Sequence, residues 1–337
     1  MVESGAPAER TRSIDPGKYR GMQQVTSAHG FFEVCAVDHL ADFAKLIDPD
    51  PAAVPMSEIV QAKSELIAAL APHASAVLLD AQYGLQSVAA GIVPRETGII
   101  LAVEEETYSA PTSPRVSSMR SGWDAQKIVR AGAGMAKLLW FYRPDLDQGI
   151  AQRQRELLAQ VQSECDAVSL PLVVEPIWYP VAGEDAHDPQ WRRTRVEGII
   201  SAAHEASQYG ADLLKIEFPG AVGSPEQIER AIDACERVDQ AISVPWVLLS
   251  AGVGFDDFAL QLEIAAKAGA SGYMAGRSVW RDAVTRDAHA REAGIAVAVS
   301  KLDRLRAITR QHARPFSPAV PVAQATQAMP EGWYETW

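Results

Sequence analysis

Cysteine is scarce in this chain of 337 residues: the three cysteines lie far apart, at positions 35, 165 and 235. An odd number at such spacing does not form a disulfide framework and favours reduced thiols, so we expect a cytoplasmic protein. No apolar run reaches the roughly 18 residues of a membrane span, and the first thirty residues lack the apolar core of a signal peptide. The sequence therefore predicts a protein without a membrane partner.

Basic residues and histidines are also few. Lysine and arginine number 31 against 43 acidic residues, which gives a net charge of −12, so we expect no nucleic-acid partner. Only one of the seven histidines, His39, lies at the end of a predicted strand. A metal site needs several converging ligands, and no strand–GxGxxG–helix unit for a dinucleotide is present. We therefore expect neither a metal nor another cofactor.

Apolar segments alternate with helical segments along most of the chain. The predicted strands are 31–39, 76–80, 98–103, 135–142, 172–177, 210–220, 245–250 and 270–276. The predicted helices include 56–71, 124–131, 148–168, 194–209, 223–238, 255–268 and 287–312. Eight strand–helix units predict an α/β protein, a single-domain (β/α)8 TIM barrel, with an open doubly wound sheet as the structural alternative.

Two terminal segments differ in composition from this repeating region. Residues 1–28 are polar and contain several Pro and Gly residues, so we expect a loose N-terminal arm before a barrel at 29–312. Residues 313–337 form a proline-rich tail that ends in WYETW. An aromatic tail is expected to dock on its own barrel or on a second subunit, and we expect a homo-oligomer.

The stretch 210–220, GADLLKIEFPG, places a lysine inside an apolar strand. Alternation puts Lys215 and Glu217 on one face of that strand and Ile216 and Phe218 on the other. Lysine is rarely buried without a partner, and a buried ammonium readily loses its proton. Lys215 is therefore either half of a structural ion pair or a nucleophilic amine.

Ionisable residues recur on the neighbouring predicted strands. Lys137 lies in strand four, Glu175 in strand five and Asp38 at the end of strand one. Active sites of (β/α)8 barrels lie at the carboxyl ends of the strands. Schiff-base catalysis uses such a set: a nucleophilic amine at Lys215, a second cation at Lys137 beside it, and Glu175 as the general acid/base.

The turns after strands seven and eight predict a phosphate site. Ser250 and Gly252 follow strand seven, and Gly276 and Arg277 follow strand eight. Backbone N–H groups and an arginine in such turns bind anions, and a phosphate site after these two strands is typical of this architecture.

Several acidic residues also have ordinary structural interpretations. Asp38 and Asp80 each follow a strand and could cap the next helix. Glu104, Glu105 and Glu106 are interpreted as a solvated loop face, and Glu217 as a partner for a charge on its strand.

The sequence resembles the class I tagatose 1,6-bisphosphate aldolase family, which includes sulfofructose-phosphate aldolases. The resemblance covers residues 32–284 and rests on VDH at 37–39, LLDAQYGL at 78–85, AKLLWFY at 136–142, SECDAVSLPLVVEPIWY at 163–179, ADLLKIEFP at 211–219, LLSAGV at 248–253 and AGRSVW at 275–280. The family consists of (β/α)8 barrels that cleave a ketose phosphate to dihydroxyacetone phosphate and an aldehyde without a metal.

This resemblance implies a role for each candidate residue. Lys215 would form the Schiff base, Glu175 would be the acid/base, and Lys137 and Asp38 would assist and orient the substrate. The phosphate of the dihydroxyacetone half would be held by Ser250, Gly252, Gly276 and Arg277.

His39 departs from the family pattern, which usually has glutamine at this position, and it would face the substrate hydroxyls. The loops 104–118 and 178–193 would hold the distal group, which is a phosphate, a sulfonate or neither of these. The sequence leaves two alternatives open: a barrel that isomerises or only binds a sugar phosphate, and a metal-dependent aldolase.

Overall fold

The computed structural model describes residues 15–105, 114–316, 319–335 and 337, and within them eight parallel strands close into a barrel. The strands are β1 (Phe32–Ala36), β2 (Ala76–Leu79), β3 (Gly98–Ala102), β4 (Met135–Phe141), β5 (Leu172–Ile177), β6 (Leu213–Ile216), β7 (Trp246–Leu249) and β8 (Gly272–Ala275). Each strand pairs with the next in the chain, and β8 pairs with β1, with Val34 opposite Met274. The predicted TIM barrel is confirmed, and the open sheet is excluded by this closure.

Helices follow the strands and surround the barrel. They are α1 (Pro16–Val25), α2 (Ala41–Ile47), α3 (Met56–Leu70), α4 (Leu85–Ala89), α5 (Ala125–Arg130), α6 (Gln148–Asp166), α7 (Pro189–Gln208), α8 (Pro225–Ala241), α9 (Phe255–Lys267), α10 (Arg277–Trp280), α11 (Ala288–His312) and α12 (Val322–Ala328). No helix of the described ranges is both long enough and apolar enough to cross a membrane.

Alternation along the strands produces two apolar cores. Leu78 and Leu213 belong to the core inside the barrel, whereas Leu138 and Leu214 belong to the core between the strands and the helices. Successive side chains of a strand point to opposite faces, so Lys215 shares the inward face with Leu213. A lysine near the carboxyl end of β6 is thereby directed into the barrel mouth.

Helix α1 covers the opposite, amino-terminal end of the barrel. Met22 and Val25 are buried and extend the inner core, and the Asp15 side chain accepts hydrogen bonds from the first backbone N–H groups of the helix. Gly98, the first residue of β3, lies so close to α1 that a Cβ there would be 2.1 Å from the carbonyl oxygen of Gln24. The expectation of a loose arm is therefore wrong for 16–25, because apolar side chains at helical spacing cover the end of the inner core. Residues 1–14 of the arm lie outside the described residues.

Helix α7 also differs from its predicted bounds. It begins at Pro189 rather than at residue 194, because Asp188 accepts hydrogen bonds from the backbone N–H groups of Gln190 and Trp191 and proline suits the first helical position. The loop predicted at 178–193 is correspondingly shorter.

Phe316, in the C-terminal segment upstream of the tail's end, packs against the barrel. The ring of Phe316 stacks on Phe32 with centroids 5.9 Å apart, and its N–H donates to the carbonyl oxygen of Gly30. At the end of the tail, Tyr334 and Trp337 are 66% and 65% exposed. Association with a second copy through this tail stays a prediction, as do the domain boundaries.

Candidate active site

All of the residues that the sequence singled out for a site line one cavity of about 250 Å³. They are Asp38, His39, Lys137, Glu175, Lys215, Ser250, Gly252, Gly276 and Arg277. They come from six strands and the turns that follow them, and all lie toward the carboxyl ends, where a closed parallel barrel brings distant parts of the chain together.

Lys137 is the hub of the charged groups in this cavity. Its Nζ lies 3.1 Å from Asp38 Oδ2, 2.5 Å from Glu104 Oε1 and 3.0 Å from Glu175 Oε2. An ammonium has three N–H donors, and these three carboxylates match them. Burial opposes the charge, but the carboxylates outweigh it and raise the pKa of Lys137 well above its usual value. Lys137 is therefore a fixed ammonium at neutral pH.

Lys215 is 5% exposed, and its Nζ donates to Glu175 Oε2 at 3.0 Å. That same oxygen contacts Lys137, so a single carboxylate oxygen separates the two lysine nitrogens. Burial favours the protonated form of Glu175, but Lys137 and Lys215 outweigh it and lower the pKa of the carboxyl. An ionised Glu175 in hydrogen-bond contact with a buried amine is placed to exchange a proton with it.

Asp38 and His39 follow β1. Asp38 does not cap α2, whose first turn has no side-chain cap. Burial disfavours the Asp38 carboxylate, but Lys137, Lys215 and His39 outweigh it and lower its pKa well below the usual range. Burial lowers the pKa of His39 to about 4, with Asp38 acting in the opposite direction. The imidazole is thus neutral at pH 7, and its ring lies edge-on to Trp280 with centroids 5.4 Å apart.

The turns after β7 and β8 approach each other closely. The N–H of Gly276 donates to Ser250 Oγ at 3.2 Å, and a Cβ at Gly276 would lie 2.9 Å from Cε1 of His39. Ala251 and Gly252 both have positive φ, 47° and 73°, and for alanine this conformation costs about 1–2 kcal/mol. Such strain concentrates at ligand sites, where the surrounding structure holds it in place.

Arg277 begins α10 and contributes a charge to this end of the cavity. Its Nη1 donates to Asp42 Oδ2 at 2.6 Å, so α2 fixes the position of the guanidinium. Arg277 was predicted to bind a phosphate, and one of its guanidinium nitrogens contacts a carboxylate of the protein.

The prediction that Glu104 belongs to a solvated loop face is wrong. This residue is 8% exposed, lines the cavity and contacts Lys137, whereas the side chain of its neighbour Glu105 is 36% exposed and pairs with Arg120. Glu106 lies outside the described residues. The alternation of β3 carried the missed signal: Ile100 faces the inner core and Ala102 lines the cavity, so two residues further on Glu104 points inward as well.

Asp80 and Lys63 form a buried pair beside the cavity. Lys63 on α3 is fully buried and donates to Asp80 Oδ2 and to the carbonyl oxygen of Val37. The other oxygen of Asp80 accepts from the backbone N–H groups of Gln82 and Tyr83. Asp80 therefore caps the turn after β2, and Lys63 ties that turn to the segment that carries Asp38.

Glu217 was predicted to satisfy a charge on its strand, and the structure gives it a partner on a helix instead. Its Oε1 accepts from Arg195 on α7 at 2.9 Å, and its Oε2 accepts from the N–H of Trp178 at 3.0 Å. Glu217 lines the cavity and joins β6 to the segment that follows β5.

Arg115 also lines the cavity, although sequence reasoning did not single it out. Its guanidinium lies over the rings of Phe141 and Tyr179, at 5.5 and 5.4 Å from the centroids. The Tyr179 hydroxyl exchanges hydrogen bonds with the backbone of Arg115, which fixes this part of the loop.

The donor set of the cavity suits an organic anion better than a metal ion. Across residues 15–105, 114–316 and the described part of the tail, no group of three or more His, Cys, Asp and Glu residues has the geometry to hold a metal ion. Three of the carboxylates that line the cavity converge on the ammonium of Lys137 instead.

A TIM barrel with buried lysines and carboxylates at its mouth has the fold and the site of a lyase that breaks carbon–carbon bonds. Residues 37–282 match the sequence profile of the DeoC/LacD family of aldolases. This chain belongs to that family, and it is an aldehyde-lyase.

Curated relatives agree with this assignment. The chain is 28% identical over 288 residues to tagatose 1,6-diphosphate aldolase 2 of Streptococcus pyogenes serotype M1, covering 81% of this chain and 87% of the relative. It is 28% identical over 285 residues, with the same coverage, to tagatose 1,6-diphosphate aldolase 1 of Enterococcus faecalis.

Solved structures share the fold at lower identity. A Schiff-base-forming fructose 1,6-bisphosphate aldolase has a TM-score of 0.60 at 19% identity, over 86% of this chain and 99% of that one. A fructose-bisphosphate aldolase from Plasmodium falciparum has a TM-score of 0.63 at 13% identity, over 88% and 95%.

Proposed function

We propose that this aldolase forms a Schiff base on Lys215 and cleaves a ketose phosphate such as tagatose 1,6-bisphosphate into dihydroxyacetone phosphate and glyceraldehyde 3-phosphate. The observation that carries the proposal is the contact of the Lys215 amine with Glu175 Oε2 at 3.0 Å, in a buried pocket that also holds the ammonium of Lys137. Schiff-base chemistry requires a buried amine beside a group that exchanges protons with it.

The mechanism assigns each proton to a residue. Glu175 first takes a proton from Lys215, with which it is hydrogen-bonded, and the neutral amine attacks the C2 carbonyl of the ketose. A proton passes from nitrogen to oxygen to give a carbinolamine, and Glu175 returns its proton to the C2 hydroxyl, which leaves as water. Glu175, now a carboxylate again, removes the proton of the C4 hydroxyl, the C3–C4 bond breaks, and its electron pair moves into the iminium to give an enamine. Protonation at C3 and hydrolysis release dihydroxyacetone phosphate and regenerate the amine.

Lys137 and Asp38 orient the reacting groups in this proposal. The Lys137 ammonium holds Glu175 and Asp38 in place through contacts of 3.0 and 3.1 Å and contributes positive charge to the pocket in which the reaction proceeds. His39, neutral and with a side chain 16% exposed beside Asp38, contacts a substrate hydroxyl where the family usually has glutamine.

The substrate's two ends bind on opposite sides of the cavity. Ser250, Gly252, Gly276 and Arg277 hold the phosphate of the dihydroxyacetone half, because backbone N–H groups and a guanidinium suit that anion. Arg115 holds the distal phosphate, since it lies at the cavity wall in the loop after β3. The names of the curated relatives, which act on a ketose bisphosphate, support a substrate with two anionic groups.

Borohydride trapping tests the proposed nucleophile. Incubation with dihydroxyacetone phosphate and borohydride is expected to add the reduced adduct to Lys215, as measured by mass spectrometry of its peptide. Lys215→Ala is expected to abolish both the adduct and turnover, whereas Lys267→Ala, a change at an exposed lysine on α9, leaves both unchanged. An unlabelled wild-type Lys215, under conditions that label a known class I aldolase, contradicts the proposal.

Substrate identity is tested by comparing turnover. Tagatose 1,6-bisphosphate, fructose 1,6-bisphosphate and sulfofructose 1-phosphate are measured side by side with the same enzyme sample, with and without a chelator. Cleavage of the tagatose bisphosphate that the chelator leaves unchanged is the expected result. Preference for the sulfonate would assign sulfolactaldehyde as the aldehyde product, and inhibition by the chelator would favour a metal-dependent reaction.

A further inference from the structure

The strand order of the barrel places the two halves of a bound ketose. In a closed barrel of eight strands in sequence order, β3 lies on the wall opposite β7. If the phosphate of the dihydroxyacetone half lies at the turns after β7 and β8, and C2 is bonded to Lys215 on β6, the remaining carbons extend away from those strands. They reach the wall formed by the ends of β2, β3 and β4.

Two carboxylates lie at that wall, Asp80 after β2 and Glu104 after β3, and both oxygens of Asp80 already accept hydrogen bonds from the protein. Glu104 is 8% exposed and lines the cavity. Its Oε1 contacts Lys137 at 2.5 Å, while its Oε2 is buried and accepts no hydrogen bond from any residue that the structure describes. Buried carboxylate oxygens in native proteins are nearly always hydrogen-bonded, so this oxygen requires an explanation.

We propose that Glu104 is a substrate-binding residue whose Oε2 accepts a hydrogen bond from a hydroxyl of the ketose half that leaves as the aldehyde. The inference rests on the function proposed above. Lys137 fixes the orientation of the carboxylate by holding Oε1, which leaves Oε2 for the ligand. A sugar hydroxyl is the complementary group, because a carboxylate is only an acceptor and a hydroxyl is a donor.

Two other buried atoms of the cavity make no hydrogen bond with the described residues and lie 3.6 Å from each other, and their position is different. Asp38 Oδ1 and His39 Nδ1 follow β1, which pairs directly with β8 and therefore lies beside the predicted phosphate turns. They suit hydroxyls of the dihydroxyacetone half, whereas Glu104 lies on the far side. Because the two sides of the cavity hold different halves of the substrate, a change at Glu104 is expected to affect cleavage of the ketose without affecting binding of the dihydroxyacetone half.

The test compares Glu104→Gln with Glu105→Gln in two assays. In glutamine, the amide oxygen can take the place of Oε1 beside Lys137, but the group at the Oε2 position is then an NH2, which donates and cannot accept from a hydroxyl; the charge is lost as well. Glu105 is the neighbouring residue; its side chain is 36% exposed and does not line the cavity, so it serves as the matched control. The first assay is borohydride trapping of dihydroxyacetone phosphate on Lys215, and the second is cleavage of tagatose 1,6-bisphosphate.

Glu104→Gln is expected to lower kcat/KM for cleavage about 10- to 100-fold, as for the loss of one hydrogen bond to a charged group, while the trapping rate stays within about threefold of wild type. Glu105→Gln is expected to change neither assay. Preserved trapping shows that the variant is folded and that its amine is reactive. Glu104→Asp keeps the charge but is shorter, and it is also expected to lose cleavage while keeping trapping.

Other outcomes separate the two proposals. If the wild type is not trapped, the Schiff-base proposal fails. If the wild type is trapped but Glu104→Gln loses trapping and cleavage equally, Glu104 acts only through the lysines, and the inference is overturned. Unchanged cleavage in Glu104→Gln overturns it as well.

Discussion

Replacing Lys137 with methionine would leave three buried carboxylates around an apolar side chain. The carboxylates of Asp38, Glu104 and Glu175 lie 2.5–3.1 Å from its Nζ, and the three side chains are only 7–11% exposed. Removing one partner of a buried ion pair typically costs about 3–5 kcal/mol because the charge left behind has lost its compensation. Lys137→Met is therefore expected to lower the free energy of unfolding by that amount at pH 7.

The pH dependence of this loss follows from proton uptake. A glutamate with an ordinary pKa of 4.5 can be neutralised in the folded variant, which at pH 7 costs about 3 kcal/mol and at pH 5 less than about 1 kcal/mol. The folded variant then binds more protons than its unfolded chain, so its stability rises relative to wild type as the pH falls. The destabilisation is expected to shrink by about 2–3 kcal/mol between pH 7 and pH 5.

Urea unfolding of both proteins at pH 7 and pH 5 measures the effect. Lys267→Met is the control, because its side chain is 57% exposed and its pair with Glu263 on α9 contributes about 0.5 kcal/mol at most. Adding Glu104→Gln to Lys137→Met removes one of the uncompensated charges and is expected to recover part of the loss. A destabilisation by Lys137→Met below about 1 kcal/mol at pH 7, or one that is equal at both pH values, would refute the claim that Lys137 compensates three buried carboxylates.

Two further predictions concern His39 and Gly98. The pKa of His39 falls from 6.5 in the unfolded chain to about 4 in the fold, so the unfolded state takes up a proton first and stability decreases as the pH falls through this window. His39→Gln is expected to abolish about 2 kcal/mol of the stability that is lost between pH 7 and pH 5, as measured by urea unfolding. An unchanged pH profile of stability in this variant would contradict the prediction. Gly98→Ala is expected to cost about 1–3 kcal/mol in thermal unfolding, because its Cβ would meet the backbone of Gln24 at 2.1 Å. Gly254→Ala serves as the control, since its Cβ would make only an ordinary contact of 3.9 Å with the Asp257 side chain. Equal stability of the two variants would show that α1 yields to the added methyl group.

The barrel was predictable because its strands are short, apolar and regularly spaced. Each predicted strand is present with shifts of a few residues at its ends, and strand five is present with the predicted bounds of 172–177. Inward and outward faces were predictable as well, since they depend only on alternation. Leu213 and Lys215 share a face for this reason, and Lys137 and Glu175 line the same cavity.

Elements without a strong local pattern were not predicted. Helix α1 contains two glycines and few apolar residues, and its stability comes from Met22 and Val25 against the inner core. Glu104 lies in a run of three glutamates, for which solvent exposure is the ordinary expectation. Only contact with Lys137, 33 positions along the chain, identifies it as a buried charge.

The sequence by itself determined the fold class, the faces of the strands and the end of the barrel at which the candidate residues gather, because these follow from periodicity and from the geometry of parallel strands. Only the tertiary structure decided which charges touch. It placed Glu175 between two lysines, brought Glu104 to Lys137, and gave Glu217 to Arg195 rather than to Lys215. Such pairings depend on distances of a few ångströms between side chains from separate strands and helices, and no local pattern encodes those distances.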